Sequence, residues 1–378
     1  MNFIEEFKKG QAEKNKGLYM GDGLSGISKA INGIQRKRIY GIASAPKIGK
    51  STFVDYGFVI SPYLEWLKTQ NVNIEWIYFS FEIDRVSKEF DFATYFLYHD
   101  YGIEAVSLEE GQTITINGEK RTVIELSPDY LRGRLLDDNN QIIKVKPAIM
   151  EVLKEVYANR IIPLFGEYSD TGSLITPGKI TFIEEKENPT GVRKFLMRKA
   201  EREGKFVHAF FGENGKKIIG YQPDDPDKIT IVIIDHLRKL PPERGFTLKQ
   251  TVDKMIEYCV ELRNWCGYTF APIIHTNRSM SDVDRMKYAK DELFPTSEDI
   301  KDTGNLSEDA DYMFTIFNPN DEKFHLSKHF GMDLKDRHNN PLYPNLRTIH
   351  LVESRHTFYP QHFKTIMRGN LKAFELLK

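Results

Sequence analysis

Long apolar runs are missing: no stretch of the chain approaches the roughly 20 residues that a membrane helix needs, which excludes a helical span. The opening segment, MNFIEEFKKGQAEKNKG, is polar and lacks the apolar region of a secretory signal. Cysteine is nearly absent. Cys259 and Cys266 lie seven apart on one helical pattern, too far apart for a disulfide and too few for a zinc site, so an intracellular chain is expected. An excess of one charge is absent too, with 53 basic against 54 acidic residues. This removes the globally basic signature of a nucleic-acid binder while leaving room for a local basic channel. No internal repeat and no low-complexity tract occurs. What remains, 40% hydrophobic and 28% charged residues over 378 positions, is a globular composition with enough chain for a substantial core.

From residue 38 onward, β and α patterns alternate. RIYGIAS (38–44), EWIYFSF (75–81), TIVIID (230–235), YTFAPIIHT (268–276), DYMFTIF (311–317) and LRTIHLV (346–352) read as strands, and more β pattern follows near 362–377. TIVIID is the continuous apolar run of a parallel strand buried on both faces. GVRKFLMRKAEREG (191–204) reads as a helix with Gly204 at its C-terminus. TLKQTVDKMIEYCVELRNWCG (247–267) reads as a helix with Thr247 and Gln250 in a capping box and Gly267 as the stop. The alternation predicts an α/β fold: a doubly wound, mostly parallel sheet with helices on both faces. Residues 1–17 read as an N-terminal arm and 18–378 as one core domain with insertions near 105–126, 166–187, 206–222 and 318–345. Two insertions, TITINGEKRTVIEL and HAFFGENGKKIIGY, carry the Asn-Gly signal of a two-residue hairpin.

The chemistry concentrates at SAPKIGKS (44–51), which fits the phosphate-loop pattern except that Ser44 replaces its first glycine. A strand must deliver a tight loop whose amides, from Ser44, Ala45, Pro46, Lys47, Ile48 and Gly49 onward to Thr52, surround phosphate; proline contributes only its carbonyl and shape. Gly49 permits close backbone approach, Lys50 reaches the β and γ phosphates, and Ser51 offers a hydroxyl to Mg2+. The match follows a strand and opens a helix, as the motif requires. The run IVIIDHL (231–237) ends in Asp235, the acid expected to orient that metal. The next residue is His236 rather than a glutamate, so an acid that activates water must come from elsewhere. Glu82, at the end of EWIYFSF, is the candidate; its plainer reading is a solvated loop acid.

Together these segments resemble the ATPase domain of DnaB-type hexameric replicative helicases, over roughly 18–370 with gaps at the insertions. GDGLSGISKAINGIQRKRIYGIASAPKIGKST resembles the family's lead-in and loop, and IYFSFEI its glutamate strand. LRGRLLDD (131–138) and NPTGVRKFLMRKAEREG resemble two helical segments. IVIIDHLRKL matches the metal-acid strand, APIIHTNRSM the sensor strand with His275 at the sensor position, and DTGNLSEDADYMFTIF is the closest stretch. The resemblance implies an ATP- and Mg2+-dependent helicase or single-strand DNA translocase, moving 5′ to 3′. It further implies a homo-hexameric ring or spiral with ATP between subunits, in a phage-borne form working in the host cytoplasm. Two channel loops would hold single-stranded DNA through Arg238, Lys239 and Arg244, and through Arg278, Arg285, Lys287 and Lys290; each set also reads as solvated charge. The family's Lys-x-Arg appears here as VESRH, which keeps Arg355 for the neighbour's nucleotide and places Glu353 at the lysine position. No counterpart of the primase-binding domain precedes the motor, so primase coupling of the usual kind is not expected. A RecA- or KaiC-like ATPase without unwinding, and a nucleotide-binding scaffold or interaction protein, stay open as alternatives.

Overall fold

The computed structural model describes residues 17–377 apart from 71, 117, 212–214, 278–282 and 304; the expected N-terminal arm therefore lies almost wholly outside the described residues. The chain divides into two compact units. One comprises the described parts of Met1–Phe81, Glu185–Ile366 and Phe374–Lys378; the other comprises Glu82–Glu184 and Met367–Ala373.

The larger unit is built on strands β1 (Tyr40–Ser44), β2 (Ile74–Ser80), β3 (Ile229–Asp235), β4 (Thr269–His275), β5 (Tyr312–Phe317), β6 (Leu346–Ser354), β7 (Gln361–Arg368) and β8 (Ala373–Leu376). Their order across the sheet is β8-β7-β6-β5-β1-β4-β3-β2. The five from β5 to β2 are parallel, whereas β6 runs antiparallel to β5 and β7 antiparallel to β6. Every residue of β1, β3 and β5 is buried, which is why these segments read as unbroken apolar runs. The fold is thus a mixed central sheet with a parallel core.

Helix α1 (Lys50–Val54) opens directly after the loop that follows β1. It widens into a π-type segment, Asp55–Ile60, and continues as Ser61–Thr69. Its apolar face buries Phe53 against Phe58, Phe314 and Phe374 at centroid separations of about 6 Å, and Trp76 of β2 donates its indole N–H to the Phe58 carbonyl at 2.7 Å. The ring contacts tie the helix to β5 and β8 and the indole bond ties it to β2, and truncating a ring of this size in such a core costs about 3–5 kcal/mol. Helix α2 (Pro189–Arg202) starts at Asn188, whose side chain accepts from the Gly191 N–H at 2.8 Å. Helix α3 (Leu248–Cys266) has the capping box of Thr247 and Gln250, and Gly267 closes it at φ 77.

Several local expectations differ from the structure. Gly204 does not cap α2: Glu203 does, and Gly204 already begins a strand, Gly204–Phe211. That strand pairs antiparallel with Gly215–Pro223, Phe211 opposite Gly215, so Gly215 is in the strand and the connection is 212–214 rather than the Asn-Gly pair. At the first hairpin the Asn-Gly reading holds, because Ile116 pairs with Glu119 across 117–118. LRGRLLDD is helical only up to Leu131, the end of the helix Pro128–Leu131. Gly133 takes φ 64 there, and the Arg134 N–H returns to the Asp129 carbonyl, a helix-stop geometry that glycine makes inexpensive. The stretch 318–345 packs its own apolar cluster, Phe324, Leu326 and Leu334 with Leu293, Phe317 and Leu346.

Candidate functional site

Parallel strands place their carboxyl ends along one edge, where ligands bind in open α/β sheets. In register, Ser44 of β1 stands beside His275 of β4, and Asp235 of β3 beside Ser80 of β2. The Thr276 N–H donates to the Ser44 carbonyl at 3.1 Å, and the Phe81 N–H donates to that of Asp235 at 2.9 Å. These bonds extend the alignment just past the strand ends. Ser44, Asp235 and His275 therefore share one edge, as the sequence reading requires.

From that edge the loop Ala45–Gly49 turns into α1. Lys47 adopts φ 63 and Gly49 φ 109. A side chain at Gly49 would be strained in that left-handed region, so glycine is what lets the backbone double back. The Gly49 carbonyl accepts the first helical bond from the Phe53 N–H at 2.8 Å. Lys50 is buried at 6% exposure as the first residue of α1, directly after the loop. The helix start supplies unsatisfied amides and a positive dipole end beside the loop.

The donor set fits a divalent cation. Asp235 is 2% exposed and its Oδ1 has no hydrogen-bond partner among the described residues, a buried carboxylate oxygen left open to a ligand. Ser51 holds the second position of α1. A buried carboxylate and a helix-start hydroxyl are the oxygen donors that a hard divalent cation takes alongside phosphate oxygens. His236 and His275 face each other edge to face, ring centroids 4.5 Å apart. Glu82 follows Phe81 immediately in the chain, is exposed, and is the first residue of the smaller unit.

Three residues of this region carry no signal in the sequence. Arg347 of β6 is partly buried; its Nε donates to the Ile48 carbonyl at 3.0 Å, and its Nη1 donates to Asn318 Oδ1 at 3.2 Å and the Leu346 carbonyl at 2.8 Å. Burial lowers its pKa, and no carboxylate pairs with it among the described residues. A cavity of about 270 Å³ lies on the same side of the loop, lined by Pro46, Ile48, Phe317, Asn318 and Phe324 among others. Tyr78 and Asp55, buried in β2 and in the widened helix, are the other two; the Tyr78 hydroxyl donates to Asp55 Oδ1 at 2.9 Å. An arginine in a strand and a tyrosine in an apolar run look structural until the fold sets the first against the Ile48 carbonyl and the second against Asp235.

The remaining expected residues are distributed as follows. Arg355 follows β6, whose Ser354 pairs with Tyr312, itself opposite Tyr40 at the start of β1. The length of β1, roughly 13 Å at the usual strand rise, separates that end from Ser44. Arg355 is thus remote from its own chain's loop; it is 47% exposed, contacts the Glu308 carbonyl and lies 3.9 Å from Asp309. Arg238, Lys239 and Arg244 are exposed on the segment after Asp235, as are Lys287 and Lys290. Arg285 is instead committed within the chain: it pairs with the buried Asp299 at 2.6 Å and donates to the Phe294 carbonyl at 2.8 Å. Arg278 lies outside the described residues.

The chain is similar to solved structures. One match is a DnaB-like replicative helicase described with its interactions with primase, at TM-score 0.61 and 10% identity, covering 99% of this chain and 67% of that one. A second is the ATPase domain of a phage helicase, at TM-score 0.59 and 10% identity, covering 99% and 97%. The fold is that of DnaB-like helicase ATPase domains. At this identity the likeness concerns the fold alone. No protein-family model matches the sequence, and no curated protein does. No helix among the described residues is long and apolar enough to cross a membrane.

Proposed function

We propose that this chain is an ATP hydrolase of the DnaB-like class that translocates on, and unwinds, DNA in the cytoplasm. The observation that carries the reading is the loop itself. A left-handed Gly49, a buried Lys50 and an unpartnered Asp235 Oδ1 share the carboxyl edge of a parallel sheet. In this reading the loop amides and Lys50 bind the polyphosphate. Ser51 and Asp235 would hold Mg2+, which when bound neutralises charge on the transferred phosphoryl group. Glu82 accepts the proton of the attacking water, and His275, beside Ser44, relays the state of the site to the segment that follows it. The remoteness of Arg355 from its own loop favours delivery to the loop of a second copy, and hence a ring or spiral of identical subunits. Arg238, Lys239, Arg244, Lys287 and Lys290 supply cations for a single strand's phosphates without reading bases.

A second reading, an ATPase that holds or moves along single-stranded DNA without unwinding it, draws on Arg285. Its pairing with Asp299 withdraws one cation from the expected DNA set. Hydrolysis and strand displacement by the same preparation separate the readings. Hydrolysis stimulated by single-stranded DNA together with displacement of a duplex supports the first, and stimulation without displacement supports the second. No hydrolysis with or without DNA refutes both.

A further inference from the structure

The metal site assigned above uses Ser51 and Asp235, yet a second buried carboxylate stands directly behind it. The Tyr78 hydroxyl lies 2.9 Å from Asp55 Oδ1 and 3.5 Å from Asp235 Oδ2. All three side chains are buried, at 1%, 3% and 2% exposure. The hydroxyl donates to Asp55 Oδ1 at the shorter distance and, as the minor branch of the same donor, toward Asp235 Oδ2, so one phenol ties the two carboxylates together. Its contact with Asp235 is to Oδ2, so Oδ1 is the oxygen with no hydrogen-bond partner among the described residues. Asp55 also follows Ser51 by four residues in one continuous helix, which sets the two on the same face. The helix thus contributes a hydroxyl and a carboxylate to one locality, and β2 links that carboxylate to the acid at the end of β3. Two carboxylates this close in dry surroundings repel each other, and a cation beside Asp235 relieves that cost.

We propose that Asp55 is an outer carboxylate of the divalent-cation site, acting through Tyr78 as a positioning pair. The pair fixes the rotamer of Asp235 with Oδ1 facing the ion, and Asp55 adds a second negative charge to the ion's surroundings. The inference rests on the reading of Ser51 and Asp235 as the residues that hold the metal. Outer partners of metal ligands commonly govern affinity by 10- to 100-fold.

The test uses the full chain with Asp55→Asn and Tyr78→Phe, both close in shape to the originals. Mn2+ is titrated in the presence of a non-hydrolysable ATP analogue and free ion is read by electron paramagnetic resonance. Analogue binding in EDTA is measured in parallel, and thermal unfolding confirms that each variant folds. Each substitution is expected to weaken Mn2+ binding by about tenfold or more, leave metal-free analogue binding within about twofold, and, for Asp55→Glu, restore much of the Mn2+ affinity because charge is kept. Mn2+ affinity within about twofold of the unsubstituted chain in either folded variant overturns the proposal. Asp235→Asn separates this from the parent reading. Loss of Mn2+ in Asp235→Asn but not in Asp55→Asn or Tyr78→Phe removes only the outer pair, whereas an unsubstituted chain that binds no Mn2+ with the analogue removes both.

Discussion

Replacing Arg347 with glutamine loosens the phosphate loop from outside. The guanidinium clamps the loop by one bond to the Ile48 carbonyl and is itself braced by Asn318 and Leu346. A hydrogen bond from a charged donor is worth roughly 1.5–3 kcal/mol, and glutamine is too short to remake the one to Ile48. Part of that loss falls on the fold, where the removal of a desolvated cation without a carboxylate partner offsets it. The remainder falls on the order of the loop, which, on the proposed reading, a bound nucleotide must then restore. A share of about 1.4–2 kcal/mol corresponds to a nucleotide affinity lower by about 10- to 30-fold. The measurement is equilibrium binding of a fluorescent ATP analogue, with thermal unfolding alongside; a midpoint within a few degrees of the original is expected. Unchanged affinity in a folded Arg347→Gln chain refutes the claim that β6 holds the loop.

Other outcomes follow from the buried charges. Asp311 accepts from the Ile39 N–H at 2.9 Å, from Arg263 at 2.8 Å and from His356 at 2.7 Å. Burial pushes its pKa up, but these bonds and the Arg263 charge outweigh it and hold the carboxyl below 3.8. Its stabilising contribution is therefore present above the unfolded value and lost as pH falls through the lower folded one; Asp311→Ala, which strands buried Arg263, costs about 3–5 kcal/mol by denaturant unfolding at pH 7. His329 behaves in the opposite sense. Burial depresses its pKa from 6.5 to about 4, so the unfolded chain binds the extra proton between those values and stability falls as pH drops through that window. Moving from pH 7 to 4.5 removes about 2–3 kcal/mol through this residue, and His329→Phe flattens that part of the unfolding profile. A pH slope identical to that of the original chain contradicts the assignment.

Much of this was legible because the fold writes itself in local signals. Buried parallel strands such as TIVIID cannot alternate, the capping box of Thr247 and Gln250 marks a helix start, and a strand-loop-helix with Gly49 and Lys50 specifies its own geometry. The ends of two segments were not legible. Gly204 reads as a helix stop but is taken by a strand, because tertiary pairing with Pro223 outweighs its local preference. Gly133 stops a helix within LRGRLLDD where a longer one was expected. The site divides along similar lines. Ser44, Asp235 and His275 are set by strand ends that share one edge, and Lys50 and Ser51 open the helix after the loop. Arg347 reaches the Ile48 carbonyl and Tyr78 reaches Asp235 only through strand order, with β6 two strands from β1 and β2 beside β3, while Asp55 looks structural on the helix until Tyr78 is seen against it. Arg285 is of the same kind: in sequence a basic residue there reads as free charge, and the fold sets Asp299 beneath it as a pair.

The central claim is that a phosphate loop is completed by Arg355 from another copy of the chain. It is tested most directly by mixing a Lys50→Ala chain with an Arg355→Ala chain and measuring ATP hydrolysis with single-stranded DNA. Each variant alone is expected to be nearly inactive, since a supplied arginine is commonly worth 10³–10⁵ in rate. At equal amounts with random assembly, about one interface in four joins an intact loop to an intact arginine, so about a quarter of the original rate returns. Silence at every mixing ratio, from chains that demonstrably assemble, contradicts the shared site; hydrolysis by Lys50→Ala alone at the original rate contradicts the loop itself.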